Sequence, residues 1–156
     1  MREISGTFLA RGRRFAIAAS RFNEVVTSKL VEGAVAALRA HDIDEDDLVV
    51  AWVPGAFELP ILARRLAERG AFDAVICLGA VIRGDTAHFD HVAGQAAAGI
   101  RAAAEATGVP VIFGVLTTET FEQAMDRAGG KHGNKGWDAA MAAMETASVL
   151  EQIPKE

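Results

Sequence analysis

Ionisable and hydroxyl side chains crowd into LGAVIRGDTAHFDHV, Leu78 to Val92, where an apolar run gives way to Arg83, Gly84, Asp85, Thr86 and His88 before an alanine-rich segment resumes. Gly84, Asp85 and Thr86 fall where a strand passes into a helix. First-turn N–H groups have no intrahelical partner there, and together with the helix dipole they favour an oxyanion. Thr86 adds a hydroxyl. The same residues also fit a plain helix cap, with Asp85 or Thr86 closing the first turn for about 1 kcal/mol. Taken alone, the stretch leaves both readings open. His88 lies within a turn of this junction, and an imidazole that titrates near neutrality suits proton transfer. A surface or capping histidine is the plainer alternative.

A second cluster favours the anion reading. RAGGKHGNKG, Arg127 to Gly136, carries Arg127, Lys131, His132 and Lys135 among four glycines. Glycines permit a sharp elbow that presents cations together. Neither G-x-x-x-x-G-K-[ST] nor G-x-G-x-x-G occurs, so nucleotide loops of those kinds are unsupported. His88, Asp90 and His91 could be read as a metal cluster, but the i, i+3 histidines have no matching third ligand nearby and no H-E-x-x-H occurs, and no serine sits in a G-x-S-x-G elbow. The chain has no tyrosine. Phe22, Phe57 and Phe113 fall at or near strand ends, where a planar heterocycle could stack, although core packing is the expectation for each taken singly. Glu58 follows Pro54-Gly55 at the start of a helix, where a carboxylate suits the dipole and can bind hydroxyls or amines.

These clusters need a scaffold that brings strand ends together. Strand-like segments alternate with helical ones, the pattern of a parallel sheet covered by helices. The expected strands are Ile4 to Ala10, Arg13 to Ser20, Asp47 to Val53, DAVICLGAVI and PVIFGVLT. Helices are expected after SRFN, over FELPILARRLAERG, from about Phe89 to Thr107, over TFEQAMDRAG, and from the elbow to about Gln152. SRFN, PGAFELP, RGDTAHFDH and TTET each follow a strand, and in a parallel sheet those ends share one edge, where open α/β proteins place ligands. The expectation is one α/β domain over residues 1–156, a three-layer α/β/α sandwich around a four-stranded parallel sheet.

Composition agrees. A chain of 156 residues buries a core without disulfides or metal. Its longest nearly unbroken apolar run, Ala74 to Ile82, is far short of the ~20 residues of a membrane-spanning helix. With 51% apolar residues and a mean hydropathy of +0.19, the apolar excess is expected in subunit contacts. The formal charge of −5 and absence of a basic, aromatic-interleaved stripe argue against nucleic acid. The single Cys77 is expected to be a small buried hydrophobe. The N-terminus lacks a signal-peptide pattern, so the expected location is cytoplasmic.

SRFN, VPGAFELP, GAVIRGDTAHFDHV, FGVLTTET with QAMDRAG, and GNKGWDAA together resemble the signatures of the 6,7-dimethyl-8-ribityllumazine synthase family, in order and across essentially the whole chain. The resemblance implies a flavodoxin-like fold and a transferase that needs no cofactor. Such enzymes condense 5-amino-6-ribitylaminouracil with 3,4-dihydroxy-2-butanone 4-phosphate, forming the lumazine with loss of phosphate and water. By resemblance Phe22 stacks on the pyrimidine, Ala56, Phe57 and Glu58 line the ribityl and ring pocket, and Ala80, Val81 and Ile82 offer backbone contacts. Gly84, Asp85 and Thr86 hold the phosphate with Arg127, Lys135 lies close by, Phe113 closes the ring pocket, and His88 moves protons. In the family Phe113, Arg127 and Lys135 come from the adjacent subunit. Ala80 replaces a common Thr or Cys, Asp85 sets a carboxylate beside the expected phosphate, and His91 stands where an aromatic is common and is not expected to touch substrate.

The resemblance also implies a homo-pentamer. A 60-subunit icosahedral shell is expected, because the elbow is short and the N-terminal strand has no proline to stop it pairing with a neighbouring subunit. Riboflavin synthase is then a candidate partner. Two rival functions share the same anion site: a phosphatase or aldolase-like lyase acting on a sugar phosphate, and a non-catalytic flavin-binding or shell-forming protein.

Overall fold

The structure, a computed structural model, describes residues 1–155, and the last residue of the expected domain, Glu156, lies outside the described residues. Its strands are β1 (Phe15–Ser20), β2 (Leu48–Val53), β3 (Ala74–Ile82) and β4 (Val111–Thr118), all parallel, in the order β2-β1-β3-β4. Uninterrupted apolar runs suit this arrangement, because strands covered on both faces have no solvent side to mark with polar residues. β1 is buried throughout, and β3 from Ala74 to Val81.

Between the strands run α1 (Glu24–Ala40), α2 (Leu59–Glu68) and α3 (His88–Thr107), and after β4 come the short α4 (Phe121–Asp126) and α5 (Lys135–Glu151). Period-two alternation sorts the sheet's side chains into two cores. Phe15, Ile17, Ile76 and Leu78 pack with Leu30 and Leu38 of α1 and Met144 of α5. Ala16, Ala18, Val75 and Cys77 pack on the opposite face with Leu59 and Ala63 of α2 and Ile100 of α3. The three-layer α/β/α architecture is therefore as expected. Each fully buried Leu or Ile contributes roughly 1.5–3 kcal/mol. Helices α1 and α5 come so close that a Cβ at Gly136 would run into the Leu30 carbonyl. Among the described residues no helix is long and apolar enough to cross a membrane.

Among the described residues, the expected strand Ile4–Ala10 joins no sheet. Its polar groups bond to α5 instead. The Thr7 N–H donates to Ser148 Oγ at 2.6 Å, Gln152 Nε2 donates to the Ser5 carbonyl at 2.8 Å, and the Arg13 guanidinium meets both Glu151 carboxylate oxygens at 2.9 and 2.8 Å. The outer edge of β2, with Val49 and Val50 exposed, carries no neighbouring strand among the described residues.

Candidate active site

The C-terminal ends of β1, β2 and β3 open into a cavity of about 780 Å³. Its lining brings together Phe22, Ala56, Phe57, Glu58, Ala80, Val81, Ile82, Gly84, Thr86 and His88, ten of the residues singled out above. The parallel sheet achieves this, because three consecutive strand-to-helix connections leave the same edge. Asn23 holds one corner. It adopts a left-handed conformation (φ 62°, ψ 44°), its carbonyl accepts from the Val26 and Thr27 N–H groups, and its Nδ2 donates to the Ala80 carbonyl at 2.9 Å. The β1 and β2 exits are laced by N–H donation from Arg21 to Val53 O (2.8 Å) and from Phe22 to Pro54 O (2.9 Å). Ala56–Glu58 form a single 3-10 turn that delivers Phe57 and Glu58 before α2 starts at Leu59, with Pro60 in its first turn.

Phe22 is 73% exposed, Phe57 58% and Phe113 38%, so the expectation of core packing fails for all three. Rings left this far in water, beside strand ends and a cavity, are placed for a partner outside the chain. Two residues set apart in the sequence reading also fall differently. Asp85 does not line the cavity, and the residue at the N-cap of α3 is Ala87, with no side chain capping the first turn. The Thr86 hydroxyl makes only a long contact there, 3.4 Å from the His88 N–H. His91 lines the cavity with His88, one helical turn away on the same face.

Arg127, Lys135 and Phe113 lie elsewhere. They line a second cavity of about 450 Å³, along the edge strand β4 and the elbow between α4 and α5, together with His132, Thr117 and Asp138. The elbow is an antiparallel pair, β5 (Ala128–Gly130) with β6 (Gly133–Asn134), turned by Gly129 and Gly133 at φ 101° and 82°. It is held firmly. The Lys135 N–H donates to Arg127 O at 2.8 Å, His132 N–H to Asp126 O at 2.7 Å, and Asn134 Oδ1 accepts from the N–H groups of Gly136 and Trp137 at 2.8 and 3.1 Å. Arg127 Nη1 donates to the Gln123 carbonyl at 3.1 Å. Among the described residues no Lys or Arg lines the first cavity, Arg127 and Lys135 line the second, and no residue lines both.

Asn23, Phe89, Val92, His91 and His132 line the two cavities without having been singled out as ligands. Asn23 carried a readable signal, since asparagine is one of the few residues that enters the left-handed region readily. Cys77 is fully buried, and burial pushes its thiol up to about 12, so it takes no part in chemistry at the cavities.

One comparison bears on identity. The family model for 6,7-dimethyl-8-ribityllumazine synthase matches residues 12–151, taking in every strand, the residues that line both cavities and the elbow that lines the second. With the sheet order, the exposed rings and the segregated cations already in place, this chain belongs to the 6,7-dimethyl-8-ribityllumazine synthase family.

Proposed function

We propose that this protein condenses 5-amino-6-ribitylaminouracil with 3,4-dihydroxy-2-butanone 4-phosphate to give 6,7-dimethyl-8-ribityllumazine, phosphate and water, without a cofactor, as a step of riboflavin biosynthesis. The observation that carries this reading is the division of the ligand set. An aromatic and apolar cavity with a carboxylate and imidazoles stands apart from a cationic elbow on the same chain. A substrate pair made of a planar, hydroxylated heterocycle and a phosphate ester needs both halves. One copy supplies the first and its neighbour the second.

In this reading Phe22 stacks on the pyrimidine, with Phe113 of the neighbouring copy closing over it. Ala56, Phe57 and Glu58 meet the ribityl chain and ring, and Ala80, Val81 and Ile82 offer backbone groups. The phosphate rests on the N–H groups and hydroxyl of Gly84, Asp85 and Thr86, facing the neighbour's Arg127 and Lys135. Charge-assisted bonds from a guanidinium are the strong ones. The amine of the uracil attacks the ketone and water leaves as the imine forms. Loss of a proton from the adjacent carbon expels phosphate and leaves an enol, which tautomerises and closes onto the second nitrogen with loss of another water. Each step moves a proton, and His88 lies on the cavity wall where it can carry one. Holding two reactants together contributes up to ~7–11 kcal/mol in well-oriented cases, so positioning dominates and His88 assists.

The assembly that completes the site is a pentamer, with a 60-subunit shell as the expected final form and riboflavin synthase as a candidate partner. The uncovered edge of β2 supports it, being available to the N-terminal segment of a neighbour. The expected location is cytoplasmic. Incubation with both substrates tests the function: lumazine absorbance and fluorescence should rise, with one phosphate released per lumazine. Rapid phosphate release without the uracil supports the phosphatase or lyase rival instead. Native mass measurement tests the shell, and a lone pentamer at neutral pH would refute it.

A further inference from the structure

We propose that Arg83 is a positioning residue that presets the anion loop Gly84–Ala87 for the phosphate substrate; this rests on the function proposed above. Arg83 leaves β3 with its N–H donating to the Thr118 carbonyl at 2.9 Å, one step beyond the last paired residues of β3 and β4. Its side chain then reaches three ways. Nε lies 2.8 Å from Glu119 Oε2 on the connection after β4, Nη2 lies 3.4 Å from Asp90 Oδ1 in the first turn of α3, and the guanidinium stands 4.4 Å from the centre of the Phe89 ring. One planar fork thus ties the end of β3, the end of β4 and the start of α3 together.

The loop has little else to hold it. No side chain caps α3, the Thr86 contact is long, and Gly84 to His88 are exposed. A loop that must present N–H groups to a phosphate needs both ends fixed, and Arg83 fixes them from outside the cavity. Arg83 lines neither cavity, and two carboxylates already occupy its guanidinium, so it is not a spare cation waiting for the phosphate. By occupying Asp90 and Glu119 it also keeps two negative charges engaged next to the site where a dianion binds. Phe89, held under the guanidinium, lines the cavity, so the clamp sets one wall as well as the loop.

The test separates the two substrates. In the assembled protein, Arg83→Met and Arg83→Lys should each raise KM for the butanone phosphate, and the inhibition constant of inorganic phosphate, about tenfold, because a small misplacement of a binding loop is felt strongly. KM for the uracil should change less than about twofold, and Glu119→Gln should move the phosphate values in the same direction by less. Lysine keeps the charge but cannot fork between two carboxylates, so Arg83→Lys should resemble Arg83→Met. Wild-type phosphate affinity in Arg83→Lys would overturn the proposal in favour of charge alone. A parallel rise in both KM values with a falling Tm would overturn it in favour of general support of the fold. Should the wild-type protein form no lumazine, the functional reading fails by itself. Binding of inorganic phosphate to the assembled protein still reads the clamp, and equal binding by wild type and Arg83→Met, or none by either, would overturn it.

Discussion

Two inactive chains should restore each other. Phe22→Ala/Glu58→Ala removes the stacking ring and the carboxylate from the large cavity, and Arg127→Ala/Lys135→Ala removes the cations from the elbow. None of the four side chains is fully buried, so folding should survive. The elbow variant alone should lose more than about a hundredfold in rate, since a hydrogen bond to a charged group contributes roughly 1.5–3 kcal/mol and two such groups are removed; the cavity variant should lose at least roughly thirtyfold, since a stacked ring contributing about 0.5–1.5 kcal/mol takes the place of one of those bonds. In a ring assembled at random from equal amounts of the two, a working site needs an intact cavity facing an intact elbow. Half the subunits supply each, so about one quarter of wild-type activity should return, the arithmetic of a head-to-tail interface. The assay is lumazine formation by the coexpressed mixture, with native mass spectrometry showing mixed rings. Mixed rings with no more activity than the two variants separately would refute a site shared between copies.

Other outcomes follow from particular residues. His88→Ala should slow turnover by roughly 10²- to 10⁴-fold yet leave measurable lumazine formation, and complete loss in a folded, assembled protein would contradict the view that positioning dominates. Cys77, fully buried with its thiol pushed up to about 12, should resist thiol reagents until the protein is denatured; rapid labelling of the native protein would contradict its placement between β3 and the α2/α3 layer. The hydrogen bond from Arg13, with its charge, holds the Glu151 carboxyl below its usual range. A folded-state pKa below the unfolded one gives a contribution fully present above the unfolded pKa and lost as pH falls through the depressed value. With the Glu151 side chain about half exposed, it amounts to roughly 0.2–1 kcal/mol. Glu151→Gln should therefore flatten the acid side of the stability profile slightly, and an unchanged profile would show the pair to be inert.

The sheet was legible because its central strands β1 and β3 are buried on both faces and its edge strands β2 and β4 are apolar as well. Phe15–Ser20, Leu48–Val53, Ala74–Ile82 and Val111–Thr118 are apolar runs ended by Pro, Gly or polar residues, and each lies within two residues of its expected bounds. Ile4–Ala10 has strand composition but no strand partner in its own chain, so the Thr7 N–H and Ser5 carbonyl bond to α5 instead. The elbow reads as a run of glycines and gave no hint of the β5–β6 pair, which forms because Gly129 and Gly133 take positive φ. Asp85 looked like a cap or an anion neighbour and lies off the cavity, while Phe89, His91 and Val92 line it. Which face of α3 turns inward depends on the phase set by the four residues before it, and that phase is not written in residue type.

Whether one copy's elbow faces another's large cavity is the point on which the account stands. The most direct measurement is an electron cryo-microscopy structure of the assembled particle with the butanone phosphate bound. Phosphate density should lie on Gly84–Thr86 with Arg127 of the adjacent copy within hydrogen-bond distance, and the rings of Phe22 and Phe113 from different copies should stand on either side of the heterocycle space. Arg127 directed into solvent on the outside of the particle, or a phosphate held within a single copy, would contradict it.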